Sequence, residues 1–357
     1  MIRRPCGNFK KNYIQDEGIF PTRLLKIVTV LFILLLFALP LLPWLISDYL
    51  LYVAITVLIT VIGALGMNII TGYAGQISVA HGAFIGIGAY TCGILANRLG
   101  ISLWLTIPAA GVTTAVVGVL FGSPSLRLKG LYLLMATLAA QFFLVDYVFM
   151  EWESMTKGAA MMELERPSVF GFALTNDRHF YYLPLIIAIA ATFFTMNLFR
   201  TKVGRAFIAM RDRDLAAELI GIDLFRHKLI AFAISSFYAG VCGALYAYFW
   251  TLINPQAFGL FLSIQYLAII ICGGMGSVRG SILGAVFIVA LPQIVKNFVI
   301  VVTPLIPAAI PIGNIFAGLE TLLFGLVIVL FLIIEPEGLN KMWYNFRASI
   351  NLWPFSY

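Results

Sequence analysis

Apolar residues run along this chain in long blocks, separated by short polar or glycine-rich breaks. A helix needs about 20 such residues to cross the hydrocarbon core of a bilayer. By that measure the pattern predicts ten spans, at 24–46, 50–70, 79–98, 103–125, 131–150, 180–199, 229–252, 261–275, 280–299 and 317–335. Backbone polar groups in lipid must be satisfied internally, so these are helices and not open sheets. The expected fold class is all-α, a polytopic integral membrane helical bundle. One membrane domain occupies 24–335, with tails at 1–23 and 336–357 and no soluble domain appended.

The breaks carry as much information as the blocks. Two long connections, 151–179 and 200–228, interrupt the apolar pattern. Loops of that length are uncommon in compact domains unless they are functional, so both are candidate contact surfaces. Two glycine-rich breaks, Gly72–Ser78 (GYAGQIS) and Gly273–Gly280 (GGMGSVRG), fall on the same side of the bundle. Paired interruptions of this kind mark repeats and binding sites in transporters, although here the internal similarity is too faint to define a repeat.

Within 200–228, the apolar residues Val203, Phe207, Met210, Leu215, Ala216, Leu219 and Ile220 fit a 3.6-residue period. The spacing predicts one helix over 203–220, with Arg205, Arg211, Asp212, Arg213, Asp214 and Glu218 on its other faces. Gly221 ends it, as a residue just past the last turn. Three readings fit such a helix: a solvated surface helix, a membrane-surface helix, and a short helix that couples to a soluble ATPase. Acidic residues would oppose anionic lipid in the second. The third explains why both charge signs and an apolar face occur together.

The third predicted span begins VAHGAFIGIGAY, and Gly82, Gly86, Gly88 and Gly93 supply small residues at close spacing along it. Such residues let helix backbones approach where lipid offers no hydrophobic drive for association. This suits tight packing, and it suits a helix beside a translocation path. Asn68, Thr71, Gln76, Ser78 and His81 form the densest group of uncharged polar residues in the bundle and are the candidate path residues. His81 has neither a carboxylate nor a second His in register, so a bond to backbone or to Gln76 is expected of it rather than a metal or proton relay.

Composition supports this frame. The chain is 61% hydrophobic and only 11% charged, well outside the soluble range. Its net charge of +7 is distributed as topology demands, not as a nucleic-acid footprint. With the N-terminus inside, 18 of the 23 Lys and Arg lie on cytoplasmic segments. The outside carries Arg98, Lys157, Arg166, Arg178 and Lys296. That bias predicts an N-in, C-in orientation. The first apolar run is too long for a signal peptide and reads as an uncleaved span.

Cys6, Cys92, Cys242 and Cys272 have no paired spacing, so neither disulfides nor a metal site is expected. No cofactor is implied. No GxxxxGK[ST] phosphate loop occurs, so any ATP that drives this chain is hydrolysed by another subunit. Asp146 and Glu320 lie near span ends and no midplane cluster of ionisable groups appears, which disfavours proton-coupled carriage and membrane catalysis.

Four ordered blocks then resemble one family. They are NIITGYAGQISVAHGAFIGIGAYT (68–91), LRLKGLYLLMATL (126–138), 204–248 (GRAFIAMRDRDLAAELIGIDLFRHK and onward) and 253–285 (INPQAFGLFLSIQYLAIIICGGMGSVRGSILGA). Together they resemble the M-type (LivM-like) permeases of the branched-chain, or hydrophobic, amino-acid ABC importers. The resemblance implies a bacterial inner-membrane heterodimer with a sister permease. It further implies two cytoplasmic ATPase subunits and a periplasmic substrate-binding protein that meets the outside loop. It places ATPase coupling on Gly204, Arg205, Arg211, Asp212, Ala216, Ala217, Glu218 and Gly221. The family's cargo is most often branched-chain amino acids, and also urea, short amides and carboxylates. The outside loop departs from the family pattern, reading Thr156-Lys157-Gly158-Ala159-Ala160 where the family commonly has TGG followed by small residues. An ATP-independent facilitator or a structural scaffold are the rival classes, and glycine-broken spans argue against the scaffold.

Overall fold

A computed structural model describes residues 23–41, 47–125, 130–158, 160–169, 172–173, 176–302, 322, 325–326, 328–331, 333 and 337–352. Most of the predicted tail 1–23, much of the tenth predicted span, Cys6 and Glu320 lie outside the described residues.

Where the sequence is continuously apolar the chain is helical. Helix α1 (Arg23–Ala38) ends in a 3-10 turn at Leu39–Leu41. Ser47 caps α2 (Asp48–Met67) by accepting the Leu50 N–H, and α2 runs on as a π-helical segment, Asn68–Tyr73. Helices α3 (His81–Leu99), α4 (Leu103–Ser125) and α5 (Leu131–Phe142) follow, and α5 also continues as a π-helical segment, Phe143–Phe149. The connection after α5 is built of small pieces: α6 (Glu153–Thr156), β1 (Met162–Glu163), β2 (Ser168–Val169), β3 (Phe172–Ala173) and α7 (Asp177–Phe180).

Next come α8 (Tyr182–Leu198), α9 (Lys202–Asp212), α10 (Asp214–Leu219) and the long α11 (Leu224–Trp250). Strand β4 (Leu252–Ile253), a 3-10 turn at Pro255–Phe258, α12 (Leu260–Gly273), α13 (Val278–Val302) and α14 (Leu339–Leu352) complete the described elements. The strands make two antiparallel pairs, β1 with β4 and β2 with β3.

Among the described residues six helices are long and apolar enough to cross a membrane: Asp48–Tyr73, Leu103–Pro124, Leu131–Phe149, Asp177–Leu198, Leu224–Trp250 and Pro255–Gly273. Shorter apolar helices occupy Lys26–Leu41 and Val278–Ile294. The protein is therefore a nearly all-helical, multi-pass membrane bundle.

Helix α11 is its centre and packs on α2, α3 and α4. The α3–α11 contact is close enough to exclude side chains at its crossing. A Cβ on Gly88 would collide with the Gly240 backbone, and one on Gly243 would collide with the Ile85 carbonyl. Elsewhere on α3, Gly82 faces Ser263 and the 258–259 carbonyls, Gly86 faces the Phe149 and Phe258 rings, and Gly93 faces Met162 and Ile253.

The single helix expected over 203–220 is two helices. Arg213 is extended (φ −156°, ψ 104°) and belongs to both ends. Its N–H donates to the Ala209 carbonyl to finish α9, and its carbonyl accepts from Ala217 N–H to start α10. The break falls inside the step of five from Met210 to Leu215, the one spacing in the apolar series that a straight helix fits poorly.

Candidate functional site

At the end of the bundle that carries α9 and α10, the two glycine-rich breaks meet. Asn68, on the π-helical extension of α2, is buried and faces the turn between α12 and α13. Its Oδ1 accepts from Gly276 N–H (2.9 Å) and its Nδ2 donates to the Ser277 carbonyl (3.0 Å). One amide thus ties both groups, and the Ser277 carbonyl also accepts from Ser281 N–H at the start of α13 (3.1 Å). Gly276 has φ +75°, and a Cβ there would collide with the Arg211 guanidinium. Gly75, at φ +68°, lies against the backbone and stem of the same Arg211. Arg211 at the end of α9 therefore touches both breaks.

The other predicted path residues surround this junction. Thr71 Oγ1 donates to the Gln76 carbonyl (3.1 Å), and Ser78 Oγ accepts from Ala80 N–H (3.4 Å). Gln76 is buried, and neither its Nε2 nor its Oε1 finds a hydrogen-bond partner among the described residues. His81 lies deeper, with Nε2 2.9 Å from the Gly63 carbonyl and its ring edge-on to Tyr266. A carbonyl can only accept, so that nitrogen carries the proton.

The N-terminus of α3 shows residues that sequence reasoning missed. Ala80 precedes it and offers no side-chain cap. Instead Gly82 N–H donates to Ser263 Oγ on α12 (2.8 Å), and Ala83 N–H donates to Gln141 Oε1 on α5 (2.9 Å). Gln141 also accepts from Ser263 Oγ and donates through Nε2 to the Phe258 carbonyl (2.7 Å). Orphan amides at a helix start need such partners, and these two come from distant segments. A glutamine inside an otherwise apolar run was the available signal.

The connecting segment itself presents two unlike faces. On α9, Phe207 (0% exposed) and Met210 (2%) are buried against the bundle. Gly204 meets the end of α8 so closely that a Cβ would collide with the Leu198 carbonyl. On α10, Leu215 (71%), Leu219 (89%) and Ile220 (75%) project outward. Helix α10 is held by buried Ala217 and by an ion pair from Lys228 to Asp214 (3.1 Å). Of the predicted coupling residues, Arg205, Arg211, Asp212, Ala216, Glu218 and Gly221 are exposed, whereas Gly204 and Ala217 are turned inward.

Cavities lie towards the opposite end. One, of about 850 Å³, opens between the end of α3 and the β1–β4 pair and is edged by Arg98, Lys157, Glu163 and Glu165. Another, of about 280 Å³, lies among α2, α11, α12 and α13. The 151–179 connection beside them is fastened by Arg166 to Asp177 (2.7 Å), by Arg178 to Asp48 (3.2 Å), and by Asn97 Nδ2 to the Glu163 carbonyl (2.7 Å).

Glycine-broken membrane helices, joined at one end beneath a polar connecting segment, define a multi-pass membrane bundle. The family model described as "Branched-chain amino acid transport system / permease component" matches residues 49–333, and the chain belongs to that family. It is 30% identical over 324 residues to the high-affinity branched-chain amino acid transport system permease protein LivM of Escherichia coli (strain K12), covering 84% of this chain and 72% of that one. The LivM protein of Salmonella typhimurium is 29% identical over the same shares. The LivH protein of Escherichia coli (strain K12) is 26% identical over 249 residues, 63% of this chain and 78% of its own. No solved structure matches the chain. Its relatives are named as transport permeases and not as enzymes, and this chain is a transport permease.

Proposed function

We propose that the chain is one permease subunit of an ATP-binding-cassette importer for branched-chain or other hydrophobic amino acids. It pairs with a sister permease, since relatives of both the LivM and LivH kinds match it. Ten spans with both termini inside would place α9 and α10 in the cytoplasm of a bacterial inner membrane. The 151–179 connection would then face a periplasmic binding protein. The family's cargo comes to this chain through its relatives' names and not through any charge in the bundle.

The observation that carries the reading is the outward apolar triad of α10, Leu215, Leu219 and Ile220, set among Arg211, Asp212, Arg213 and Glu218. An exposed apolar patch rimmed by charges marks a protein contact. Cytoplasmic ATPase subunits are the partner this reading assigns to it. Arg211 would pass their movement to the junction of the two breaks, with Asn68, Thr71, Gln76, Ser78 and His81 gating the inner end of the path.

Extraction of tagged protein from its native membrane in mild detergent tests this. Recovery of an ATPase pair and a sister permease is expected, with Glu218→Lys losing the ATPases while still inserting. Uptake that persists after ATP depletion, from a chain recovered alone, would instead favour a facilitator.

A further inference from the structure

We infer that α14 is a membrane-surface helix, whose apolar stripe enters the bilayer at headgroup depth beside the α9–α10 end and prefers anionic lipid. This is independent of the importer reading, since it concerns lipid and neither cargo nor ATPases.

Leu339, Met342, Trp343 and Phe346 follow one another at steps of three, one and three, which puts them on a single stripe of α14. Lys341 and Asn345 lie off that stripe. In a helix packed on a core, such a stripe is covered by its neighbours. Here Met342 (55%), Trp343 (54%) and Phe346 (59%) are exposed. The Trp343 and Phe346 rings lie beside each other, with centroids 6.2 Å apart.

The start of α14 is fixed at the second glycine-rich break. Gly338, at φ +83°, lies so close to Gly273 and Gly274 that a Cβ would collide with their backbone. The Glu337 carbonyl and the Asn340 stem face Gly274 as well. Asn340 is not on the apolar stripe, so this anchorage leaves the stripe uncovered. Gly273 is the last residue of Pro255–Gly273, a helix long and apolar enough to cross a membrane. The end of a span lies where hydrocarbon gives way to water. Helix α14 therefore begins at that depth, beside the turn that Asn68 clasps. At 1.5 Å per residue its 14 residues reach about 21 Å from the anchor.

Charge and residue type distinguish this stripe from the outward face of α10. There the exposed apolar residues stand among acids and bases, which suits a protein partner. The α14 sequence, LNKMWYNFRASINL, contains two bases, Lys341 and Arg347, and no acid. Glu337, just before it, pairs with Lys341, so 337–352 carries two bases and one acid, a net charge of +1. Trp and Tyr gather at membrane interfaces because their rings join an apolar body to a polar edge. A basic helix with Trp, Phe and Leu along one stripe lies in the plane of the headgroups. Lipid is thus the occupant that the composition of α14 selects.

The test places a nitroxide on Phe346→Cys and, separately, on Asn345→Cys. Each protein is extracted with its native partners, reconstituted into lipid nanodiscs and compared with the labelled unsubstituted protein as background. Oxygen concentrates in lipid, whereas a nickel chelate stays in water. The ratio of oxygen to chelate accessibility should be severalfold higher at 346 than at 345. Equal ratios, with the chelate reaching both positions, would leave α14 in water and overturn the assignment. Shielding of 346 from both reagents would put a protein subunit on the stripe and overturn it equally. A second measurement needs no substitution. At low salt, hydrogen exchange of the wild-type protein across 339–352 should be about fivefold slower in nanodiscs containing phosphatidylglycerol than in phosphatidylcholine alone, as expected for one net positive charge at the surface. High salt should erase that difference. Equal exchange in the two lipids at low salt would refute the anionic preference.

Discussion

Helices α9 and α10 are adjacent in sequence, share one apolar series and meet opposite fates. On α9 Phe207 and Met210 are sealed against the bundle, while Ile208 is exposed. On α10 Leu215, Leu219 and Ile220 face away from it and are exposed. The difference arises at one residue. Extended Arg213 stops the first helix and starts the second, so the second apolar stripe is turned off the first. Burial in one half explains anchoring, and exposure in the other half calls for a partner. Periodicity alone cannot distinguish an anchor from a dock, because both need an apolar face.

The comparison can be broken from either side, and the largest effect belongs to α9. Phe207→Ala should cost about 3–5 kcal/mol through lost burial and the cavity left behind. Thermal unfolding in detergent would register this as a large drop in midpoint. An unchanged midpoint would mean that α9 is not seated as described. Next comes the junction that α9 touches. Asn68→Leu leaves the Gly276 N–H without its partner, at about 1–3 kcal/mol, while the Ser277 carbonyl keeps the Ser281 N–H. Hydrogen exchange should then rise selectively at 274–278, and exchange no faster than wild type there would contradict the clasp.

Smaller effects separate structure from docking. Lys228→Met removes the ion pair to Asp214, and for a pair with Asp214 partly exposed the cost is about 1 kcal/mol or less. Its readout is local: faster proteolysis within α10, with the global midpoint nearly unmoved. Leu219→Asp should change stability least, within about 0.5 kcal/mol. Even so, it should abolish retention of the ATPases. Retained ATPases in that variant would remove α10 from the contact.

Much of the helical framework was legible in sequence because membrane burial demands long apolar runs. The predicted 103–125 segment is α4, and 131–150 corresponds to α5 with its π-helical extension. The meeting of the two glycine-rich breaks was suggested by their shared side, but the clasp was not. Asn68 reaches residues more than 200 positions away, a distance that no local pattern encodes. The same holds for the Ser263 and Gln141 groups that complete the start of α3. Asn68, Thr71, Gln76, Ser78 and His81 stood out because they cluster in sequence. Gln265 and Gln293, on the wall of the smaller cavity, did not, since each is a solitary polar residue on an apolar helix and only the fold gathers them with Thr56 and Thr60. The helix break was hidden by an apolar series that continues across it. Its one trace was the step of five residues from Met210 to Leu215.

The most direct test of the outward α10 face is site-specific photo-cross-linking in native membranes. A benzophenone amino acid would replace Leu219 in one variant and Phe207 in another. From position 219 the adduct should contain a soluble ATPase subunit, whereas position 207 should yield only cross-links within this chain. Capture of lipid alone at position 219, in membranes where the transport complex is otherwise intact, would contradict the docking role and make α10 a membrane-surface helix.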